Sequence, residues 1–135
     1  MSLPLYQLQQ ALYSKLHSDG LLMGLVQGIY DVVPQQANFP YLVIGDGTQR
    51  DLPASQLETV RCEMTIELFS RAKGRKEALI ILDRIYALLH RQVLTVGGIQ
   101  SLVMRCQRAE TEMLVDALTI RGTMQIVLLL GQEAL

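Results

Sequence analysis

From Val60 to Leu68 the chain alternates without a fault. Val60, Cys62, Met64, Ile66 and Leu68 are apolar; Arg61, Glu63, Thr65 and Glu67 between them are polar or charged. A period of two puts successive side chains on opposite faces of an extended backbone. A helix would scatter that apolar set around its axis. The segment is therefore a strand with one buried and one wet face, the pattern of an antiparallel sheet. The rest of the chain must give this strand neighbours and cover its apolar face.

Two segments have the period needed for cover. Leu5, Leu8, Leu12 and Leu16 recur at steps of three and four, one face of an amphipathic helix. Pro4 suits its first turn, where a missing N–H costs nothing, and Ser18-Asp19-Gly20 ends it. Leu21 to Val26 adds a short helical turn. Ala78, Ile81, Leu82, Ile85, Leu88 and Leu89 predict a second amphipathic helix over about residues 75 to 90, roughly 24 Å long at 1.5 Å per residue.

Further strands are expected at Gly28 to Val33, stopped by Pro34, and at Tyr41 to Gly45. Asp46 to Gln56 reads as a polar loop kept irregular by Pro53 and by glycine. Val93 to Val96 is a short strand, Gly97-Gly98 a turn, and Ile99 to Arg108 another strand. Residues 114 to 130 read as a strand with Leu118, Ile120, Met124, Ile126, Leu128 and Leu130 on one side. Val127 and Leu129 make its end apolar on both faces, which predicts cover there from a neighbouring subunit. The expected fold is α+β: an antiparallel β-sheet covered on one face by two amphipathic helices, a two-layer sandwich. Residues 1–135 form a single domain.

Half of the residues are hydrophobic. For a chain of 135 residues that surplus predicts apolar subunit contacts, because large exposed apolar patches are otherwise disfavoured. Twelve basic and thirteen acidic residues leave a net charge of −1, which gives no bulk attraction for nucleic acid. Cys62 and Cys106 lack metal-type spacing and read as reduced, buried thiols, consistent with folding in a cytoplasm. The first residues lack the basic stretch and apolar core of a signal peptide, so export by that route is not expected. The longest apolar runs, Ala78–Leu82 and Ile126–Leu130, are far short of the roughly 20 residues that cross a membrane.

No residue set carries catalytic, cofactor-binding or metal-binding chemistry. Gly45-Asp46-Gly47 begins like a dinucleotide loop, but Arg50 stands where a third glycine is needed. Gly74-Arg75-Lys76 lacks the other glycine and the Ser/Thr of a phosphate loop. Glu63 and Glu67 share a strand face about 13 Å apart, too far to act across one bond. His17 and His90 fall in the last turns of the two helices, where a cation suits the dipole. Arg71, Lys73, Arg75 and Lys76 form a basic cluster, and Glu110, Glu112 and Asp116 flank a turn. Solvated charge is one reading of both groups; contact with a neighbouring subunit is another, with a DNA phosphate contact also open to the basic cluster and a docking partner to the acidic group.

Residues 28 to 51 carry a more specific pattern. Tyr30-Asp31 is followed by Pro34, then Phe39-Pro40-Tyr41, then an apolar pair before Gly45-Asp46. Phe69-Ser70-Arg71 and Gly74-Arg75-Lys76-Glu77-Ala78 follow at the end of a strand and the start of a helix. In this order and spacing the chain resembles the tail-completion, tail-terminator or head–tail joining proteins of tailed phages, also found in prophages and gene transfer agents. Gly47 and Leu52 depart from that pattern, where relatives often carry another polar residue and a tryptophan.

The resemblance implies a structural protein of the virion, not an enzyme, at the head–tail interface and assembled in the bacterial host's cytoplasm. It implies a homo-oligomeric ring, commonly a hexamer, on the head-proximal end of the tail tube. Such a ring ends tube polymerisation, joins the tail to the head connector, or both. Its partners are itself, the tail tube protein and the connector or stopper protein. DNA passes through the lumen without sequence-specific binding; no membrane, cofactor or metal is involved. Asp46, Gly47, Thr48, Gln49, Arg50, Asp51 and Leu52 are the expected partner loop. Tyr30, Phe39, Pro40 and Tyr41 are expected to hold its base. Arg71, Lys73, Arg75, Lys76, Glu63 and Glu67 are candidate inter-subunit charge contacts. The alternative is a small cytoplasmic assembly chaperone or protein-binding domain absent from the mature particle.

Overall fold

The computed structural model describes residues 3–52 and 58–132. Helix α1 spans Pro4–His17 and α2 Gly20–Leu25. Strands β1 (Ile29–Tyr30), β2 (Tyr41–Leu52) and β3 (Glu58–Ser70) follow, then α3 (Lys76–Leu89). Strands β4 (Thr95–Val96), β5 (Ile99–Met113) and β6 (Ile120–Gln132) complete the fold. The six strands form one curled sheet in the order β1-β2-β3-β6-β5-β4. Every pairing is antiparallel except β1 with β2.

The alternating strand lies at the centre. Val60, Cys62, Met64, Ile66 and Leu68 of β3 are buried, and β6 pairs with β3 along its whole length. Leu8, Leu12 and Leu16 of α1 and Ile81, Ile85 and Leu89 of α3 pack onto that side. The expected two-layer α+β arrangement holds, with α2 as a third small helix between the other two. Asp19 fixes that helix: its Oδ2 accepts from the Leu22 N–H at 2.8 Å and from Arg84 Nε of α3 at 2.8 Å. Helix α1 touches both β2 and β4, near opposite edges of the sheet, so it crosses the open side of the half-barrel. At the β4–β5 turn a side chain on Gly97 would collide with Gln7 of α1, and both Gly97 and Gly98 have positive φ.

Three expectations need correction. Asp46 to Leu52 are not loop but the continuation of β2, paired with β3 out to Leu52↔Thr59. A bulge explains the misreading. Ile44 pairs with Ile66 and Gly47 with Met64, so Gly45 and Asp46 together oppose Thr65. The extra residue flips the phase of the alternation, and the sequence pattern breaks there. Residues 53–56, the rest of the expected loop, lie outside the described residues.

The last strand starts at Ile120, not at 114, and Leu118 is 64% exposed instead of core-facing. Asp116 is the cause: its Oδ1 accepts from the N–H groups of Leu118 and Thr119, which turns the chain. Strand β5 in turn runs five residues beyond Arg108, carrying Glu110 and Glu112 in its ladder. Val127 and Leu129 are half-buried on the polar face of the sheet, paired with Glu63 and Arg61 on β3.

Candidate assembly surfaces

One end of the sheet is braced by aromatic rings and an arginine. Tyr30 of β1 packs on Tyr41 of β2, and Tyr41 packs on Phe39 and stacks on Phe69 of β3. The Phe39–Pro40 peptide is cis, and the Pro40 carbonyl accepts from the Gln27 N–H at 2.7 Å. Arg71 lies over the Phe39 ring at 4.2 Å, donates from Nε to Thr119 Oγ1 at 3.2 Å and reaches Asp116 at 3.9 Å. One guanidinium thus links the segment after β1, the β3–α3 connection and the β5–β6 turn. Asp116 is held well below the usual carboxylate range, at about 2, first by the Leu118 N–H and then by the Thr119 hydroxyl and N–H.

The four residues expected at the base of the partner loop are therefore together, but not at that base. Tyr41 opens β2 while Leu52 closes it. Eleven residues at about 3.4 Å per residue separate them by roughly 37 Å. The rings sit at the opposite end of β2 from Leu52.

The hairpin end is polar and sparsely covered. Gly47 and Gln49 are half-buried; Asp46, Thr48, Arg50 and Asp51 are exposed or nearly so. Thr48, Gln49, Arg50, Arg61 and Glu63 line a shallow depression of about 480 Å³. The Gln49 Oε1 is buried without a partner among the described residues.

Half of the expected inter-subunit charges are occupied within the chain. Glu63 pairs with Arg61 and accepts from Gln125. Glu67 lies 3.9 Å from Arg121, which also holds Glu112 at 2.6 Å. Arg71 is spent on the aromatic end. Lys73, Arg75 and Lys76 are exposed, with no charge partner among the described residues. Lys73 and Lys76 border a groove of about 440 Å³ between α2 and α3, floored by Leu25, Ile80 and Ile81.

The thiols and imidazoles have structural surroundings. Burial raises the Cys62 thiol and pushes Cys106 up to about 11. His17 stacks on Tyr13, and His90 on Tyr86. The His90 Nδ1 accepts from the Cys106 N–H at 3.1 Å, which ties the end of α3 to β5. Among the described residues, no three His, Cys, Asp or Glu side chains cluster as metal ligands would.

A family described as Tail completion protein gp17 matches residues 10–130. The chain belongs to this family. Two solved structures of its fold bear on the tail-completion chain. One is from the virion of a native gene transfer agent particle: TM-score 0.83, 20% identity, 93% of this chain and 95% of that one covered. The other is the gp17 protein of bacteriophage SPP1: TM-score 0.67, 22% identity, 96% and 92% covered. Comparison with curated proteins found no match. The family is one of structural phage tail-completion proteins and is not known as a family of enzymes.

For a tail-completion protein the exposed apolar residues matter, and the sequence pattern concealed several. Val115 is fully exposed and Leu118 largely so, at the tip of the turn that Asp116 stiffens. Val32 stands out from the segment after β1, and Tyr6, Leu21, Leu79 and Tyr86 stud the outer faces of the helices. The Asp-x-x-Thr spacing of Asp116 and Thr119 was the signal available for the turn.

Proposed function

We propose that this chain is a structural protein of the virion at the head–tail junction. Copies form a ring on the head-proximal end of the tail tube. The ring ends tube growth, joins the tube to the head connector, or does both. Family membership over residues 10–130 carries the reading. A chain of the same fold from a gene transfer agent virion supports it.

The geometry suits a part that meets two different partners. The aromatic end is stiff, braced by Arg71 and Asp116 and tipped with Val115 and Leu118. The other end is the polar β2–β3 hairpin. Different chemistry at the two ends lets one ring face match the tube while the other does not, so addition stops after one ring. Loops and hairpin ends on a rigid scaffold usually carry such contacts. Asp46 to Leu52 contact a partner in this reading. Heterologous contacts between copies close the ring when their rotation permits. The ring is read as hexameric, and DNA threads it without base recognition.

Negative-stain microscopy of a lysate from a producer strain lacking the gene tests the role, with mass spectrometry of purified wild-type particles. Full heads beside overlong tails mean a terminator. Full heads beside tails of normal length mean a joining protein. Intact particles without the protein, or absence of the chain from wild-type particles, would overturn the reading in favour of an assembly chaperone.

A further inference from the structure

The groove between α2 and α3 is left unfilled within one copy. Leu25 and Ile80 on its floor stay 37% and 45% exposed, and Lys73 and Lys76 stand on its rim. Its volume of about 440 Å³ falls among cavities that hold a ligand, roughly 300–1,000 Å³. Exposed Arg75 lies between the two lysines in the chain and is the N-cap of α3. Three cations therefore stand against the one carboxylate of Glu77, whose Oε1 already accepts from the Ser70 hydroxyl at 2.6 Å. One turn beyond Ile80, Arg84 is neutralised by Asp19. Cations in the first turn of a helix are disfavoured by its dipole, so the rim gains from an incoming carboxylate. The floor gains from an apolar side chain.

The segment that leaves β1 has the opposite character. Asp31, Val32, Val33 and Pro34 are all exposed, Val32 to 83%. Asp31 has no ion pair among the described residues. No lysine or arginine lies between Lys15 and Arg50 in the chain, and the side chains that share its pocket, Gln9, Gln10, Tyr13, Tyr30 and Ile44, carry no charge. The Ala37 N–H donates to the Pro34 carbonyl at 3.1 Å, which turns the chain and holds the segment as a short arm. Asp46, Asp51 and Asp83 also lack an ion pair among the described residues, but they adjoin glycine, Arg50 and Arg84 in the chain instead of exposed valines. The arm stands away from the groove of its own copy. Asp31 lies against α1 and β2, and α2, packed on both α1 and α3, separates that pocket from the groove.

We propose that the α2–α3 groove of one copy holds the Asp31–Pro34 arm of its neighbour, with Asp31 between Lys73 and Lys76 and Val32 on Leu25 and Ile80. Two arms brought together would set aspartate on aspartate, and two grooves lysine on lysine. Only arm and groove are complementary, and complementarity of this kind selects the partner and fixes the register. An arm already held by its turn loses little freedom on docking. The contact joins two different patches, so it is heterologous, the kind that closes a ring when the rotation between copies permits. The inference rests on the ring reading above and assigns a contact within it.

The test is cross-linking in particles. Val32→Cys and Ile80→Cys, both at exposed positions, are introduced together and singly, and purified particles are treated with a short bis-maleimide; the native cysteines are buried. A ladder of multimers beyond the dimer from the double variant, with monomer from each single variant, is the expected result. Protein present in particles but monomeric in the double variant overturns the contact and leaves the head–tail role standing. So does a ladder that stops at the dimer, a dimer from Val32→Cys alone, or a conjugate of Ile80→Cys alone with a different particle protein. Absence of the wild-type chain from particles overturns the head–tail role instead. A charge exchange gives a second readout in a producer strain lacking the native gene. Asp31→Lys alone, and Lys73→Glu with Lys76→Glu, should each lower particle yield roughly tenfold or more, and the three together should restore it. Failure of the combination to restore yield also overturns the contact.

Discussion

Replacing Arg71 with alanine should loosen one end of the sheet by about 1–2 kcal/mol. Three interactions are lost. The stack over Phe39 at 4.2 Å is worth roughly 0.5–1 kcal/mol at a partly exposed site. The Nε donation to Thr119 at 3.2 Å adds about 0.5–1 kcal/mol, below the usual value for a charged donor because water competes for it. The contact with Asp116, at 3.9 Å between side chains 50% and 39% exposed, adds little. An unfolding entropy of about 2.1 cal/mol/K per residue converts the sum to a fall in Tm of roughly 4–7 °C for this length. Thermal and urea unfolding followed by circular dichroism measure it. Arg71→Lys should lose most of the same stability, since an ammonium keeps the charge but neither the flat stack nor the Nε donor. A double-mutant cycle with Phe39→Leu should show a coupling of about 0.5–1 kcal/mol. An Arg71→Ala protein within about 0.3 kcal/mol of wild type, or strictly additive effects with Phe39→Leu, would refute the account of this guanidinium as the brace.

Three other outcomes are expected. A Cβ on Gly122 would stand 2.8 Å from Leu68 Cδ2 and 3.3 Å from Leu82 Cδ1, so Gly122→Ala should destabilise by about 1–3 kcal/mol, and much less in a Leu68→Ala background, by urea titration. Asp19 and Asp116 both titrate at about 2 in the fold, against an ordinary 3.8, held down respectively by Arg84 and by the Leu118 N–H. A folded pKa below the unfolded one gives stability that is present above the unfolded value and lost as pH falls from 3.8 towards 2, so Asp19→Asn and Asp116→Asn should flatten the acid limb of stability against pH. Buried Cys62 and Cys106, the latter at about 11, should react with a maleimide at pH near 8 far more slowly in the native protein than in denaturant; equal rates would contradict their burial.

Much of the architecture was legible because period alone dictates it. The faultless alternation of β3 and the leucine and isoleucine stripes of α1 and α3 each face a single core, and burial enforces that periodicity. The continuation of β2 was not legible. Its bulge at Gly45-Asp46 shifts the phase, and beyond it the polar residues of the hairpin lack the apolar alternation that marks a half-buried strand. The start of β6 was misread for the opposite reason: Leu118 fits the apolar pattern, yet the Asp116 side chain captures the backbone first.

The candidate surfaces divide in the same way. The residues Tyr30, Phe39, Pro40 and Tyr41 stood out in the sequence as a group, and they do meet; where they meet relative to the hairpin depends on which end of β2 they occupy. The charges were visible, but not their pairing. Glu63, Glu67 and Arg71 find partners up to 62 positions away in sequence, across strands that pair only after the sheet is assembled. By itself the sequence determined the two long helices, the central strand and the faces these bury, because periodicity acts over a few residues. Strand order and the partners of the charged side chains were decided by the tertiary structure alone, since they follow from long-range ladders that no local pattern encodes.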